Sequence, residues 1–161
     1  MLARRMGFGF IDSDQEIEAH LGCSIRQYFE TAGESSFRDL EQETIDKLTQ
    51  ATDTVLSTGG GAVLREVNRK NLHQRGQVVY LKSSPDELFR RLKHDSNRPL
   101  LQVADPHGRL RELFVERDPL YRATAHFVLE TGRPSVSTLV NMVVMQLELA
   151  GVIQRKDGPP R

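Results

Sequence analysis

The sequence predicts an α/β domain in which helices cover both faces of a parallel sheet. Three observations lead there. Short apolar runs at 8–11, 54–57, 78–82 and 126–130 alternate with segments of helical spacing. The first two runs end in polar groups, Asp12-Ser13-Asp14 and Thr58-Gly59-Gly60-Gly61. Sheets of this class hold ligands there, outside the carboxyl ends of their strands. The 161 residues suffice for one domain with a buried core, expected over 1–152, with 153–161 as a disordered tail.

The elements follow in order. Residues 1–6 read as the last turns of a helix stopped by Gly7. The run 8–12 is a strand with an acid at its carboxyl end. Helices over 14–21 and 24–32 come next, and the second pairs Ser24 with Gln27 at capping-box spacing. Gly33 breaks it, and 34–50 is helical again, with Phe37, Leu40, Ile45 and Leu48 at apolar positions. Strand 54–57 runs into Thr58 and the glycines, and a helix over 66–74 leads to strand 78–82. Ser84-Pro85-Asp86-Glu87 combines a serine cap, a proline at the first helical position and a glutamate three after the cap. That helix should run to about residue 93. Residues 94–108 hold two prolines and a glycine and read as a loop long enough to be a lid. A helix over 109–125, a strand over 126–130, a turn at Gly132-Arg133-Pro134 and a helix to about residue 150 complete the domain.

Composition narrows the function. Twenty-two basic and 22 acidic residues cancel, and the pI is about 7.0. Nothing marks a nucleic-acid or membrane-surface binder. Lysine occurs only at 47, 70, 82, 93 and 156, and arginine supplies the other cations. Its planar fork suits carboxylate and phosphate, although a bias in base composition gives the same excess. Cys23 is the single cysteine, reads as structural, and fits a reducing compartment. No apolar run reaches membrane-span length and no signal peptide is evident, so a soluble cytoplasmic protein is expected. His20, His73, His94, His107 and His126 show no metal-ligand spacing.

Four polar groups carry candidate chemistry. Asp12 and Asp14 straddle a strand-to-helix junction, where residues two apart on extended chain face one cleft. One would orient a metal hydration shell while the other accepts a hydroxyl proton; alternatively Ser13 or Asp14 caps the helix. Three successive glycines after a strand suggest backbone that must approach a ligand closely, with amides free to donate. Arg98, in Asn97-Arg98-Pro99-Leu100-Leu101, sits in the expected lid, where it would close on a phosphoryl group or stay solvated. Arg38 and Arg117 each have acids nearby, Glu34 and Glu41 for one, Glu116 and Asp118 for the other. Either arginine is an anion ligand or a member of a surface ion pair.

Taken in order, these segments resemble shikimate kinase from residue 1 to about 149. The resemblance rests on the aspartate pair, the Gly33-Glu34-x-x-Phe37-Arg38 segment, Thr58-Gly59-Gly60-Gly61, Asn97-Arg98-Pro99-Leu100-Leu101, and Arg117 before Pro119-Leu120-Tyr121. It implies a three-layer P-loop fold like that of nucleoside monophosphate kinases. It implies transfer of the ATP γ-phosphate to the 3-hydroxyl of shikimate, with Mg²⁺, in the biosynthesis of chorismate and aromatic amino acids, by a monomer. Asp14 would hydrogen-bond the substrate hydroxyls and help activate the nucleophile. Arg38 and Arg117 would grip its carboxylate, and Gly59, Gly60 and Gly61 would meet its ring. Arg98 would act on the ATP phosphates, Arg133 would lie near the adenine, and Asp12 would hold the Mg²⁺ hydration shell. The family's G-x-x-x-x-G-K-[ST] loop has no counterpart here, since the first lysine is Lys47. The chain is therefore expected to lack the first strand, the phosphate loop and most of the first helix, leaving an open core face and weak ATP binding. A gluconate-kinase-like sugar-acid kinase and a non-catalytic hydroxy-acid-binding module are the alternatives.

Overall fold

Helix boundaries follow the short polar residues and glycines of the sequence. In the computed structural model, which describes residues 1–92 and 104–154, helix α1 (Leu2–Met6) ends at Gly7 in the left-handed conformation, φ 71°. Strand β1 (Gly9–Asp12) leads into α2 (Ser13–Leu21). Ser24 caps α3 (Ile25–Ala32) by accepting from Gln27 N at 3.1 Å, and Gly33 separates it from α4 (Glu34–Leu48). Strand β2 (Thr54–Ser57) is followed by a 3₁₀ turn over Gly60–Leu64, α5 (Glu66–Arg75), β3 (Val79–Lys82) and α6 (Pro85–Leu92). Then come α7 (Pro106–Thr124), β4 (Phe127–Glu130) and α8 (Val136–Leu149).

Two boundaries differ from expectation. Helix α7 starts at Pro106, three residues before the expected 109, because Asp105 caps it by accepting from Gly108 N at 3.1 Å. Proline at the first helical position loses no bond there. The expected lid of 94–108 therefore gives up its last three residues to a helix, and 93–103 lie outside the described residues. At the other end Ile153 packs on the cluster of Leu129, Val143 and Leu147, so packing extends one residue past the expected boundary at 152.

All strand pairing is parallel. Strand β1 pairs with β2, from Gly9 opposite Thr54 to Asp12 opposite Ser57. Strand β3 pairs with β4, from Val79 opposite Phe127 to Lys82 opposite Glu130. The two pairs form separate ladders among the described residues. Parallel strands are normally covered on both faces, yet Phe10, Leu81 and Val128 are exposed. Core side chains gather in two places. Leu129, Val143 and Leu147 meet Leu2, Met6, Val79 and Phe127 under α8, and Ile17, Phe37, Ile45, Ala62 and Val63 are buried among α2, α4 and the 3₁₀ turn. No described helix is long and apolar enough to cross a membrane.

A histidine pair joins α5 to the start of the β3–β4 ladder. The His73 and His126 rings stack at 4.0 Å, 7° from parallel. Val78 N donates to His126 Nδ1 at 2.9 Å, which requires that nitrogen to be unprotonated, while His73 Nδ1 faces Thr124 O at 2.9 Å. Burial, and then the charge of His73, hold His126 below its ordinary 6.5. The stabilisation is therefore complete above the unfolded-state value and is lost as pH falls through the lower folded value. The unfolding midpoint should drop between pH 7 and 5 by more in the native chain than in His126→Asn, which keeps an acceptor that does not titrate. The difference should be on the order of 1 kcal/mol, one hydrogen bond, and parallel pH profiles would refute it.

Candidate active site

Asp12, at the end of β1, turns the chain into α2. Its Oδ1 accepts from Asp14 N at 2.9 Å and Gln15 N at 3.1 Å. The cap is thus Asp12, not Ser13 or Asp14, because only Asp12 retains extended backbone, φ −107° and ψ 122°. With the cap made there, the Asp14 carboxylate lies against the glycine turn. A Cβ on Gly59 would stand 2.8 Å from both of its oxygens.

The next two glycines face the two arginines. A Cβ on Gly60 would meet Arg117 Nη1 at 3.3 Å and Tyr121 Oη at 3.2 Å, and one on Gly61 would overlap the Arg38 guanidinium, 2.5 Å from Cζ. None of the three has positive φ. Their glycine requirement is closeness of approach, not backbone freedom. The turn is braced from α5, where Asn68 Nδ2 donates to Ala62 O at 3.0 Å and Arg69 Nη1 to Val63 O at 2.7 Å. One short stretch of backbone therefore brings together Asp14, Arg38, Arg117 and Gly59–Gly61, which come from four separate segments.

Arg38 is held on three sides. Its Nη1 donates to Glu41 Oε1 at 2.8 Å, Nε lies 3.5 Å from Glu34 Oε1, and Cζ sits 5.1 Å from the centre of the Phe37 ring. Phe29 packs on Phe37 at 4.8 Å. The Arg38 side chain is 13% exposed and that of Glu41 1%. Burial pushes Glu41 above its ordinary 4.5, and the Arg38 hydrogen bond and charge oppose this. Asp14 adds to the rise and Arg117 opposes it, so Glu41 feels all three of the other charges.

Arg117 stands on α7 between Glu116 and Asp118, but Asp118 belongs to a different set of bonds. It accepts from Tyr80 Oη at 2.8 Å and from Arg122 Nε at 2.9 Å. The Nε atoms of Arg117 and Arg38 are buried without a hydrogen-bond acceptor, although the Glu34 carboxylate stands 3.5 Å from Arg38 Nε. Such donors are costly unless an anion meets them. Glu41 and Tyr121 join this cluster although sequence reading left them in the background. Glu41 had a signal, since it lies midway between Phe37 and Ile45 on the buried stripe of α4.

The remaining predicted residues lie elsewhere. Arg133 is exposed on the turn between β4 and α8, where the adjacent Gly132 abuts the Glu87 carboxylate. Arg98 lies outside the described residues. No group of three or more histidines, cysteines or acids capable of holding a metal occurs among the described residues.

Comparison with known proteins then decides the family. The shikimate kinase family model matches residues 1–148. The chain belongs to the shikimate kinase family. A shikimate kinase of Burkholderia thailandensis is 57% identical over 154 residues, covering 96% of this chain and 84% of that protein. The shikimate kinase of Ralstonia nicotianae is 55% identical over 152 residues, 94% of this chain and 80% of the relative. Among solved structures, shikimate kinase from Acinetobacter baumannii in complex with shikimate superposes with a TM-score of 0.88 at 42% identity, covering 95% of this chain and 85% of that one. The Aquifex aeolicus enzyme gives 0.79 at 31% identity, covering 94% and 88%. These matches establish a shikimate-kinase-like α/β fold with parallel strands and an ATP-dependent kinase as the enzyme class.

Proposed function

We propose that this site binds shikimate and that the enzyme transfers the γ-phosphate of ATP to its 3-hydroxyl. The observation that carries the reading is the meeting of two guanidiniums, each with a buried Nε that lacks a hydrogen-bond acceptor, and one carboxylate against three glycines where a Cβ would crowd all three groups. A flat ring bearing one carboxylate and several hydroxyls matches those groups. Arg38 and Arg117 take the carboxylate in bidentate fashion, Asp14 accepts from a hydroxyl and draws its proton as the oxygen attacks, and the bare turn lets the ring lie on backbone. Positioning of this kind, with charge neutralisation, is the protein's main contribution to phosphoryl transfer.

Mg²⁺ is proposed as the cation, neutralising the phosphate oxygens when bound. The donors fit an ion that keeps most of its water and leans on phosphate: one carboxylate, Asp12, with one oxygen already engaged in the helix cap. Arg98 is proposed to meet the ATP phosphates and Arg133 to lie on the adenine side. A monomer in the cytoplasm is proposed as well, consistent with a lone cysteine and the location of ATP.

The deciding experiment is calorimetric titration of shikimate and of gluconate into this chain. Shikimate should bind about 100-fold more tightly, as expected where buried polar groups must all be matched, and Arg117→Met should erase the difference. Equal affinities, or a preference for gluconate, would overturn the reading.

A further inference from the structure

Tyr121 lies four residues after Arg117, one turn along the same face of α7. Its hydroxyl donates to Gly60 O at 2.5 Å, and its ring packs 4.9 Å from that of Tyr80, which is itself tied to Asp118. A Cβ on Gly60 would touch both Tyr121 Oη and Arg117 Nη1. The phenol oxygen therefore sits where the glycine turn and the guanidinium meet. Its one hydrogen is committed to the Gly60 carbonyl, so only lone pairs remain to face Arg117, and an arginine offers only donors.

We propose that Tyr121 is a positioning residue for substrate recognition, orienting Arg117 toward the substrate carboxylate while anchoring the glycine turn beneath the ring. The inference rests on the reading of Arg117 as a carboxylate ligand. A long arginine loses much rotamer freedom on binding, and a partner that orders it beforehand removes part of that cost. The hydroxyl is suited to the task because it stays protonated at neutral pH. Burial pushes it above its ordinary 10.0, with the Arg117 charge and hydrogen bond opposing. The ring is fixed independently by Tyr80, so removing the oxygen should leave the packing in place.

The test compares shikimate with its carboxamide, which keeps the ring and hydroxyls but not the charge. In the native chain shikimate should bind more tightly. Tyr121→Phe should weaken shikimate about tenfold, the size of one lost hydrogen bond, and change carboxamide binding by less than about twofold. Equal losses for both ligands would mean that Tyr121 only supports the fold, and would overturn the proposal. Equal binding of both ligands by the native chain would overturn the reading beneath it, and the proposal too. A second measurement does not depend on the variant folding. In the ligand-free native chain the Arg117 Nη–H signals, identified by their loss in Arg117→Lys, should be resolved by NMR because the guanidinium is held. A single averaged signal from a freely turning group would refute the positioning role.

Discussion

Arg38→Met is expected to abolish measurable shikimate binding and to lower the unfolding midpoint by about 10 °C at pH 7, with the deficit shrinking toward pH 5. Arg38 answers to two anions at once, the proposed substrate carboxylate and Glu41, which it meets at 2.8 Å. Removing one partner of a buried pair leaves the other uncompensated, at a cost on the order of 3 kcal/mol, which is about 10 °C for a domain of this size. The pH trend follows from sign. Glu41 is already raised by burial, and the Arg38 hydrogen bond and charge are its main opposing influences. Without them the folded value rises further above the unfolded one, so the folded state takes up its proton first. The penalty is then fully present above the folded value and is relieved as pH falls toward the unfolded value. Unfolding midpoints of both proteins at pH 5, 6 and 7 measure it. A deficit that is constant or grows toward pH 5 would show that Glu41 is not the group left unpaired.

The same pair shows what the sequence could and could not convey. Helices, strands and caps were largely legible because they depend on local chemistry. Ser24 caps α3 and Gly7 stops α1 as expected, since both effects act within a turn of chain. The division of the sheet into two ladders was not read from local pattern, because a four-residue apolar run looks the same whether it has one neighbour or two. The placing of Arg38 and Arg117 at one turn was legible only through resemblance, because no local rule connects α4 to α7. Glu41 was read as one of two acids flanking Arg38. Its spacing from Phe37 and Ile45 already put it on the inward stripe, where a carboxylate must be paired. The start of α7 was missed because the two prolines and glycine of 94–108 suggested a loop, whereas Asp105 followed by proline opens a helix.

Gly61→Ala should cost about 100-fold in shikimate affinity while leaving the fold intact. The backbone at Gly61 is not in the left-handed region, so alanine is conformationally acceptable. It even gains up to about 1 kcal/mol by restricting the unfolded chain. The obstacle is what the new Cβ meets: the Arg38 guanidinium, at less than van der Waals contact with three of its atoms. That group is the free end of a long side chain, so it moves before the backbone does, and part of the Glu41 pair goes with it. Stability should then change little, the gain and the loss opposing each other. Binding has no such compensation, because losing hydrogen bonds to a charged carboxylate costs on the order of 1.5–3 kcal/mol, up to about two orders of magnitude in affinity. Gly76→Ala is the control, since a Cβ there meets only Leu72 O at an ordinary 3.8 Å, and it should bind shikimate like the native chain. The sharper check combines Gly61→Ala with Arg38→Lys, a substitution that shortens the reach of the cation without removing it. If alanine acts by displacing the Arg38 fork, the double variant should bind hardly worse than Arg38→Lys alone, since neighbouring changes acting through one group do not add. Two penalties that multiplied in full would mean that the turn meets the substrate independently of Arg38.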